Sequence, residues 1–212
     1  MYIKIATFIL GGLLFLSFVF FSYFVNKNVF SQIDFDTTVR FQDNIPRRVD
    51  PVFSFFSEIG SFEVSLLVLF IIIGLLVWKK KYLGGFLAFT FFGLFHVLEL
   101  FGKRFVDHFP PPQFMLRTED QFAFPQFHIR EENSYPSGHA GRAAFLTALI
   151  LFMVLYSKRL NVTQKVIIIG ILALYSITMF TSRIYLGEHW MSDVVGGAML
   201  GFAFAFIAAI SL

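Results

Sequence analysis

The chain has no cysteine in 212 residues, which rules out disulfides and thiolate metal sites but says nothing about compartment. Charge is also scarce. Asp, Glu, Lys and Arg make up 15% of the residues, against roughly 25% in soluble globular domains. That shortage excludes an ordinary soluble enzyme. A formal charge of +3 with no long basic run gives no case for nucleic acid as a partner. The sequence also lacks internal repeats, low-complexity tracts and any second, polar domain. Nor does a small-residue cleavage site follow the first apolar stretch: Tyr23-Phe24-Val25-Asn26 stands there, so that stretch reads as an uncleaved anchor.

Apolar residues are abundant instead. They form 57% of the chain, 32 of them phenylalanine, and mean hydropathy is +0.71. One domain over residues 1–212 is the expectation. A bilayer core takes about 20 apolar residues per helix, with roughly 17–25 tolerated. Ile5 to Val25, Phe62 to Trp78, Tyr82 to Phe101, Ala140 to Tyr156, Val166 to Phe180 and Trp190 to Leu212 meet or approach that length. The fold expected is an all-α integral membrane protein with six transmembrane helices. An interfacial helix would follow the first, and a long extracytoplasmic loop would join helices three and four.

Two connections are polar enough to leave the bilayer. Between residues 26 and 61, Ile33, Phe35, Val39, Phe41 and Ile45 alternate loosely with Asp34, Asp36, Arg40 and Asp43. Either a surface-lying helix or an irregular loop with its phenylalanines in lipid fits that pattern. Pro46 and Pro51 are expected to break any helix there. Residues 107–137 carry Pro110-Pro111-Pro112 and Pro125, which argue against regular helix. Lys79-Lys80-Lys81, Lys158, Arg159 and Lys165 lie in acid-free connections, which places them in the cytoplasm together with both termini. The opposite connections hold more basic residues by number, but mixed with nearly all the acids. A multi-pass protein of the cell (plasma or inner) membrane is the expected setting, with residues 26–61 and 107–137 outside.

The residues able to do chemistry cluster in two short segments. His189 and Asp193, four apart, share one face of a helix. The aspartate can accept a hydrogen bond from one ring nitrogen and leave the other to attack. Taken alone, the pair equally fits an interfacial His and Asp on one turn. Arg183 lies six residues before His189, and the turn Ile184 to Glu188 can bring the two together. Its planar fork suits phosphate oxygens. An unpaired arginine near a bilayer needs an anion, or it snorkels to the headgroups. Pro136-Ser137-Gly138-His139 opens a helix, whose free N–H groups favour an anion. Ser137 can add a hydroxyl or simply serve as the N-cap. Gly138 permits close backbone approach, and His139 can protonate a departing alkoxide. A water-demanding chemistry set between membrane spans points to a lipid-borne phosphate.

Pro136-Ser137-Gly138-His139 and Ser182-Arg183-x5-His189-x3-Asp193 resemble the second and third signature motifs of the type 2 phosphatidic acid phosphatase (PAP2) superfamily. The resemblance runs from about Asp34 to the C-terminus, and six helices is the arrangement of the family's membrane branch. It implies that His189 is the nucleophile forming a phosphohistidine, Asp193 its orienting partner and His139 the general acid. Lys103, Ser137, Gly138 and Arg183 would form the phosphate cradle. The family works without metal or other cofactor, and no zinc-like cluster of His, Asp and Glu spacing is evident here. The first family motif, a lysine followed six residues later by Arg-Pro, departs: Lys103 is present, but Pro110-Pro111 stands in place of Arg-Pro. Arg117, behind the apolar Phe114-Met115-Leu116, is the expected substitute, with a solvated loop arginine as the alternative.

Other polar residues carry weaker expectations. Glu99 is expected to pair with Lys103 or Arg142 inside the bundle, and His96 to be a hydrogen-bonded packing residue. His108 and His128 read as solvated loop histidines. The function implied is a metal-independent lipid phosphate phosphatase. A phosphotransferase passing phosphate from lipid to an acceptor would use the same residues, and an inactive lipid binder or transporter would keep the scaffold. Lipid tail, headgroup and oligomeric state are not encoded in any recognisable pattern.

Overall fold

The structure, a computed structural model, describes residues 2–117 and 133–212. Eight α-helices are found among them: α1 (Tyr2–Asn26), α2 (Ser31–Asn44), α3 (Asp50–Ile59), α4 (Phe62–Trp78), α5 (Tyr82–Phe105), α6 (Gly138–Leu155), α7 (Val162–Tyr185) and α8 (Met191–Ala208). The described residues contain no strand. Helices α1, α5, α6, α7 and α8 are each long and apolar enough to cross a membrane. α4, at 17 residues, pairs with the helical segment before it across a 50° bend, giving up to six spans.

Local chemistry sets the helix ends. Asn161 and Gln164 form a reciprocal capping box at the start of α7, at 2.9 and 3.0 Å. The helix therefore begins four residues before the apolar run starting at Val166. At its other end it continues through Thr181, Ser182 and Arg183, which apolarity alone had excluded. In the same way α5 passes Phe101 and carries Lys103 and Arg104 in its last turn, where cations oppose the helix dipole favourably. Residues 31–44 are helical, which decides between the helix and the irregular loop that the sequence left open. Pro46 ends that stretch, but Pro51 does not act as a breaker. It occupies the first turn of α3, where its missing N–H and fixed φ cost nothing.

α8 packs against α6, α1 and α5, and α6 also meets α7 and α4. In the apolar stretch of α6, 72% of residues are buried inside the protein, against 11% in α7. The difference makes α6 a central helix and leaves most of α7 facing outward. Exposed Ile167, Ile171, Leu174 and Ile177 on α7, with Leu13, Leu16 and Phe20 on α1, form lipid-suited surfaces. α6 and α8 meet through small residues. A Cβ at Gly197 would come 2.2 Å from the Ser137 carbonyl oxygen, so no larger residue permits this approach.

The polar residues of the interior are paired. Glu99 on α5 lies 3.7 Å from both Lys103 and Arg142, so it serves the two expected partners at once. Arg142 Nε also donates to the Gly60 carbonyl at 3.1 Å, joining the α3–α4 bend to α6. His96 packs among Phe62, Phe92 and Phe95, with Nδ1 2.9 Å from the Phe92 carbonyl.

Candidate active site

The starts of α6 and α8 and the ends of α5 and α7 converge at one end of the bundle. Ser137 caps α6, its Oγ accepting from Ala140 N–H at 3.4 Å. Its own N–H donates to the Asp193 carbonyl at 3.0 Å, which fastens α6 to the first turn of α8. At the end of α7, Leu186 N–H donates to Ser182 and the chain turns through Gly187, whose φ of +70° favours glycine. Glu188 and His189 N–H groups then both reach back to the Arg183 carbonyl, at 3.2 and 3.1 Å. The turn thus holds His189 beside Arg183.

His189 Nδ1 lies 3.4 Å from Asp193 Oδ2. The contact is long for a hydrogen bond, as catalytic contacts often are before substrate binds. The same oxygen accepts from Trp190 N–H at 3.0 Å, so the carboxylate also caps α8. Burial holds the His189 pKa below its ordinary value; Asp193 opposes this, and the positive charges of Arg183 and Lys103 reinforce it. The ring is therefore neutral at neutral pH. With its proton on Nδ1 toward Asp193, Nε2 keeps a lone pair.

His139 lies one residue inside α6 and is half-buried. Arg183, Arg142, His189 and Lys103 all act on it electrostatically, so the two histidines lie within range of the same cations. Arg183 is only 3% exposed, which excludes an arginine reaching out to headgroups. Its guanidinium donates to Ser57 Oγ on α3 and to the Glu188 carboxylate. The anion that the sequence argument required for this arginine is present within the chain, as Glu188. Gly138 also has a reason not foreseen. A Cβ there would fall 1.9 Å from Glu99 Oε1, so glycine makes room for a carboxylate of the protein itself.

A model of the PAP2 superfamily matches residues 81–211, which hold every one of these side chains except Ser57. The chain belongs to the PAP2 superfamily. Phosphatidylglycerophosphatase B of Bacillus subtilis (strain 168) is 31% identical over 144 residues, covering 67% of this chain and 65% of that protein. The chain thus spans just under two thirds of that relative's length. The crystal structure of the transmembrane PAP2-type phosphatidylglycerolphosphate phosphatase from Bacillus subtilis superposes with a TM-score of 0.74 at 22% identity, over 98% of this chain and 94% of that one. Aquifex aeolicus LpxE superposes with a TM-score of 0.57 at 26% identity, over 83% of this chain and 94% of that one. This PAP2 protein is a multi-pass membrane protein with the helical fold of the first of these structures.

The family's first motif is where this member departs. Lys103 ends α5, whereas Pro110 and Pro111 offer no side-chain donor. Arg117 does fold back: its N–H donates to the Leu186 carbonyl at 2.8 Å, and Met115 is buried against Gly187. Phe114 and Leu116 remain exposed, so Met115 alone anchors the expected apolar lead-in. The guanidinium lies 5.2 Å over the Tyr185 ring and donates to Tyr185 Oη at 3.2 Å. Tyr185 is two residues from Arg183, roughly 200° around the helix, so Arg117 rests against a different face of α7 from the one that carries Arg183.

His108 corrects a second expectation. It is 5% exposed rather than solvated, and Nδ1 lies 2.8 Å from Asp193 Oδ1. Position 128 lies outside the described residues. Asp34 on α2, Ser57 on α3 and Glu188 also reach the site's partners, and no local pattern announced them. Asp34 meets Ser192 across 158 positions and His108 meets Asp193 across 85, separations that carry no periodic signal. Glu188 was legible only as a neighbour of His189.

Proposed function

We propose that this protein is a metal-independent membrane phosphatase that hydrolyses a lipid-borne phosphate or pyrophosphate through a phosphohistidine, at the extracytoplasmic face. The observation that carries the reading is that a neutral, carboxylate-backed His189 and His139 lie within range of the same cations, Arg183 and Lys103. His189 Nε2 attacks phosphorus while the bond from phosphorus to the lipid oxygen breaks. His139, in its protonated form, gives its proton to that oxygen, and the lipid alcohol leaves. Water then attacks phosphorus as the P–N bond breaks, its electron pair returning to His189 Nε2; His139 takes the water's proton, and inorganic phosphate departs with His189 neutral again. Arg183, Lys103, the Ser137 hydroxyl and the N-terminal N–H groups of α6 stabilise the equatorial oxygens. For this the incoming phosphate replaces Glu188 on the guanidinium, one anion for another.

Phosphatidylglycerophosphate, phosphatidic acid and a polyprenyl pyrophosphate are the candidate substrates, the first supported by the name of the Bacillus relative. Release of inorganic phosphate from these three by detergent-purified protein tests the reading. Turnover of at least one is expected; failure on all three, with folded protein, rejects it. Chelator should leave the rate nearly unchanged, because cations and backbone donors do the work of a metal. A complete loss restored by one specific metal would show that the chemistry is otherwise.

Two further outcomes follow from placement and geometry. Cysteine introduced at position 80 or 158 should resist an impermeant thiol reagent in intact cells, while cysteine at 188 should react. No background thiol interferes. Labelling at position 80 would place the site inside the cell. The second outcome concerns Arg117 as the missing guanidinium, drawn from Tyr185 by substrate. Arg117→Lys should then lower activity by roughly tenfold or more, since lysine lacks the planar fork. Wild-type activity in Arg117→Ala would make it a residue that only braces Tyr185.

A further inference from the structure

The buried contacts of Asp193 extend away from the pocket. Its Oδ2 faces His189, while its Oδ1 meets His108 Nδ1 at 2.8 Å. On its other side, His108 Nε2 lies 3.6 Å from Asp34 Oδ2. Asp34 is held in turn by Ser192 N–H at 2.8 Å and Ser192 Oγ–H at 2.7 Å. Asp34, His108 and Asp193 are all nearly inaccessible to solvent. The His108 backbone is clamped as well: its N–H donates to Asn133 Oδ1 at 3.2 Å, and its carbonyl accepts from Ser134 N–H and Oγ–H. The imidazole thus hydrogen-bonds one buried carboxylate through Nδ1 and faces a second at ion-pair distance through Nε2, a setting that suits the imidazolium.

We propose that His108 is a positioning residue for hydrolysis: as an imidazolium bridging Asp34 and Asp193, it keeps Asp193 ionised and turned so that its second oxygen holds the His189 ring. Without that cation, Asp193 Oδ1 would lose its closest side-chain partner in a dry site, and the carboxylate would no longer be held in its present orientation. A protonated or rotated Asp193 no longer selects the His189 tautomer with Nε2 bare. The inference rests on the reading of His189 as nucleophile. It adds α2 to the machinery and explains why the segment after α1 docks on the start of α8.

The charged and titratable groups facing His108 are Asp193 from α8, Asp34 from α2 and the buried Tyr135 ring ahead of α6, whose centroid lies 6.5 Å away. Burial works against the imidazolium, but the hydrogen bonds and charges of Asp193 and Asp34 outweigh it and raise the His108 pKa to about 9. The sign is that of a histidine gaining partners: the bridge is complete well below that value and is lost as pH rises through it.

Two readouts test the proposal on detergent-purified full-length protein. The first is the pH profile of kcat with phosphatidylglycerophosphate in mixed micelles. Wild type should lose activity as pH rises through about 9. His108→Gln should lower kcat by on the order of 10- to 100-fold, the range seen when outer partners of metal-bound histidines are removed. KM should be unchanged, and that alkaline limb should vanish. Asp34→Asn, which keeps the side chain's shape, should move the limb to lower pH, and it decides the matter if His108→Gln does not fold. The second readout needs no turnover: nitrogen NMR of the histidine rings should show the Nδ1–H tautomer of His189 in wild type and a mixture in the variant. An unmoved limb in Asp34→Asn, or an unchanged His189 tautomer, overturns the role of His108. If wild type hydrolyses no lipid phosphate, the proposed function fails, and the tautomer alone then judges the positioning.

Discussion

His189→Ala is expected to abolish phosphate release, by at least about 10³-fold, while the protein stays folded in detergent. The size of the loss follows from the chemistry. In the proposed mechanism a covalent nucleophile cannot be replaced by its neighbours, since His139 serves the leaving group and the cations have no lone pair to offer. Folding should survive because His189 sits on the turn between α7 and α8, not in the packed seam. Its removal still leaves Asp193 with Trp190 N–H and His108 as partners. The backbone bond from residue 189 to the Arg183 carbonyl does not depend on the side chain. Melting in detergent and size-exclusion elution check the fold, and phosphate release checks the chemistry. More than about a tenth of wild-type turnover in the folded variant would reject the assignment.

His139→Gln should have the next largest effect, and one that depends on the substrate. A lipid alkoxide is a poor leaving group and needs a proton as the bond breaks; general acid catalysis of this kind is worth about 10²- to 10⁴-fold. With phosphatidic acid the full loss is expected. With an activated aryl phosphate, whose phenolate leaves without help, phosphorylation of His189 should be nearly as fast as in wild type. Comparing the two substrates separates proton donation from simple placement. An equal loss with both would mean that His139 holds the phosphate or the fold and does not protonate the leaving group.

The candidate site residues were more legible than their supports. His189, Asp193, Arg183 and His139 stand at short fixed spacings on two helix starts and one turn, and such spacings translate directly into shared faces. The apolar runs likewise marked the long helices, though not their ends. At both ends of α7 the helix runs on into polar residues, held by the Asn161–Gln164 box at one end and closed by the Gly187 turn at the other. Pro51 was misread because a proline breaks a helix only in its interior and not in its first turn. The connections were the illegible part. Asp34 looked like one polar position of a surface segment and His108 like a solvated loop histidine, because nothing local distinguishes a side chain in water from one buried against Asp193 or Ser192. Arg183 was read as needing an anion, but nothing marked Glu188, five residues on, as that partner. In each case the deciding contact is tertiary or crosses a turn, and binary patterning carries no trace of it.

The central claim is that phosphate passes through His189. It is tested most directly by quenching the enzyme during turnover of a lipid carrying radiolabelled phosphate and locating the label on the chain. The account predicts a protein-bound phosphate that is labile in acid and stable in alkali, mapping to His189 and absent from His189→Ala. Turnover with no protein-bound phosphate, or with the label on another residue, would contradict it.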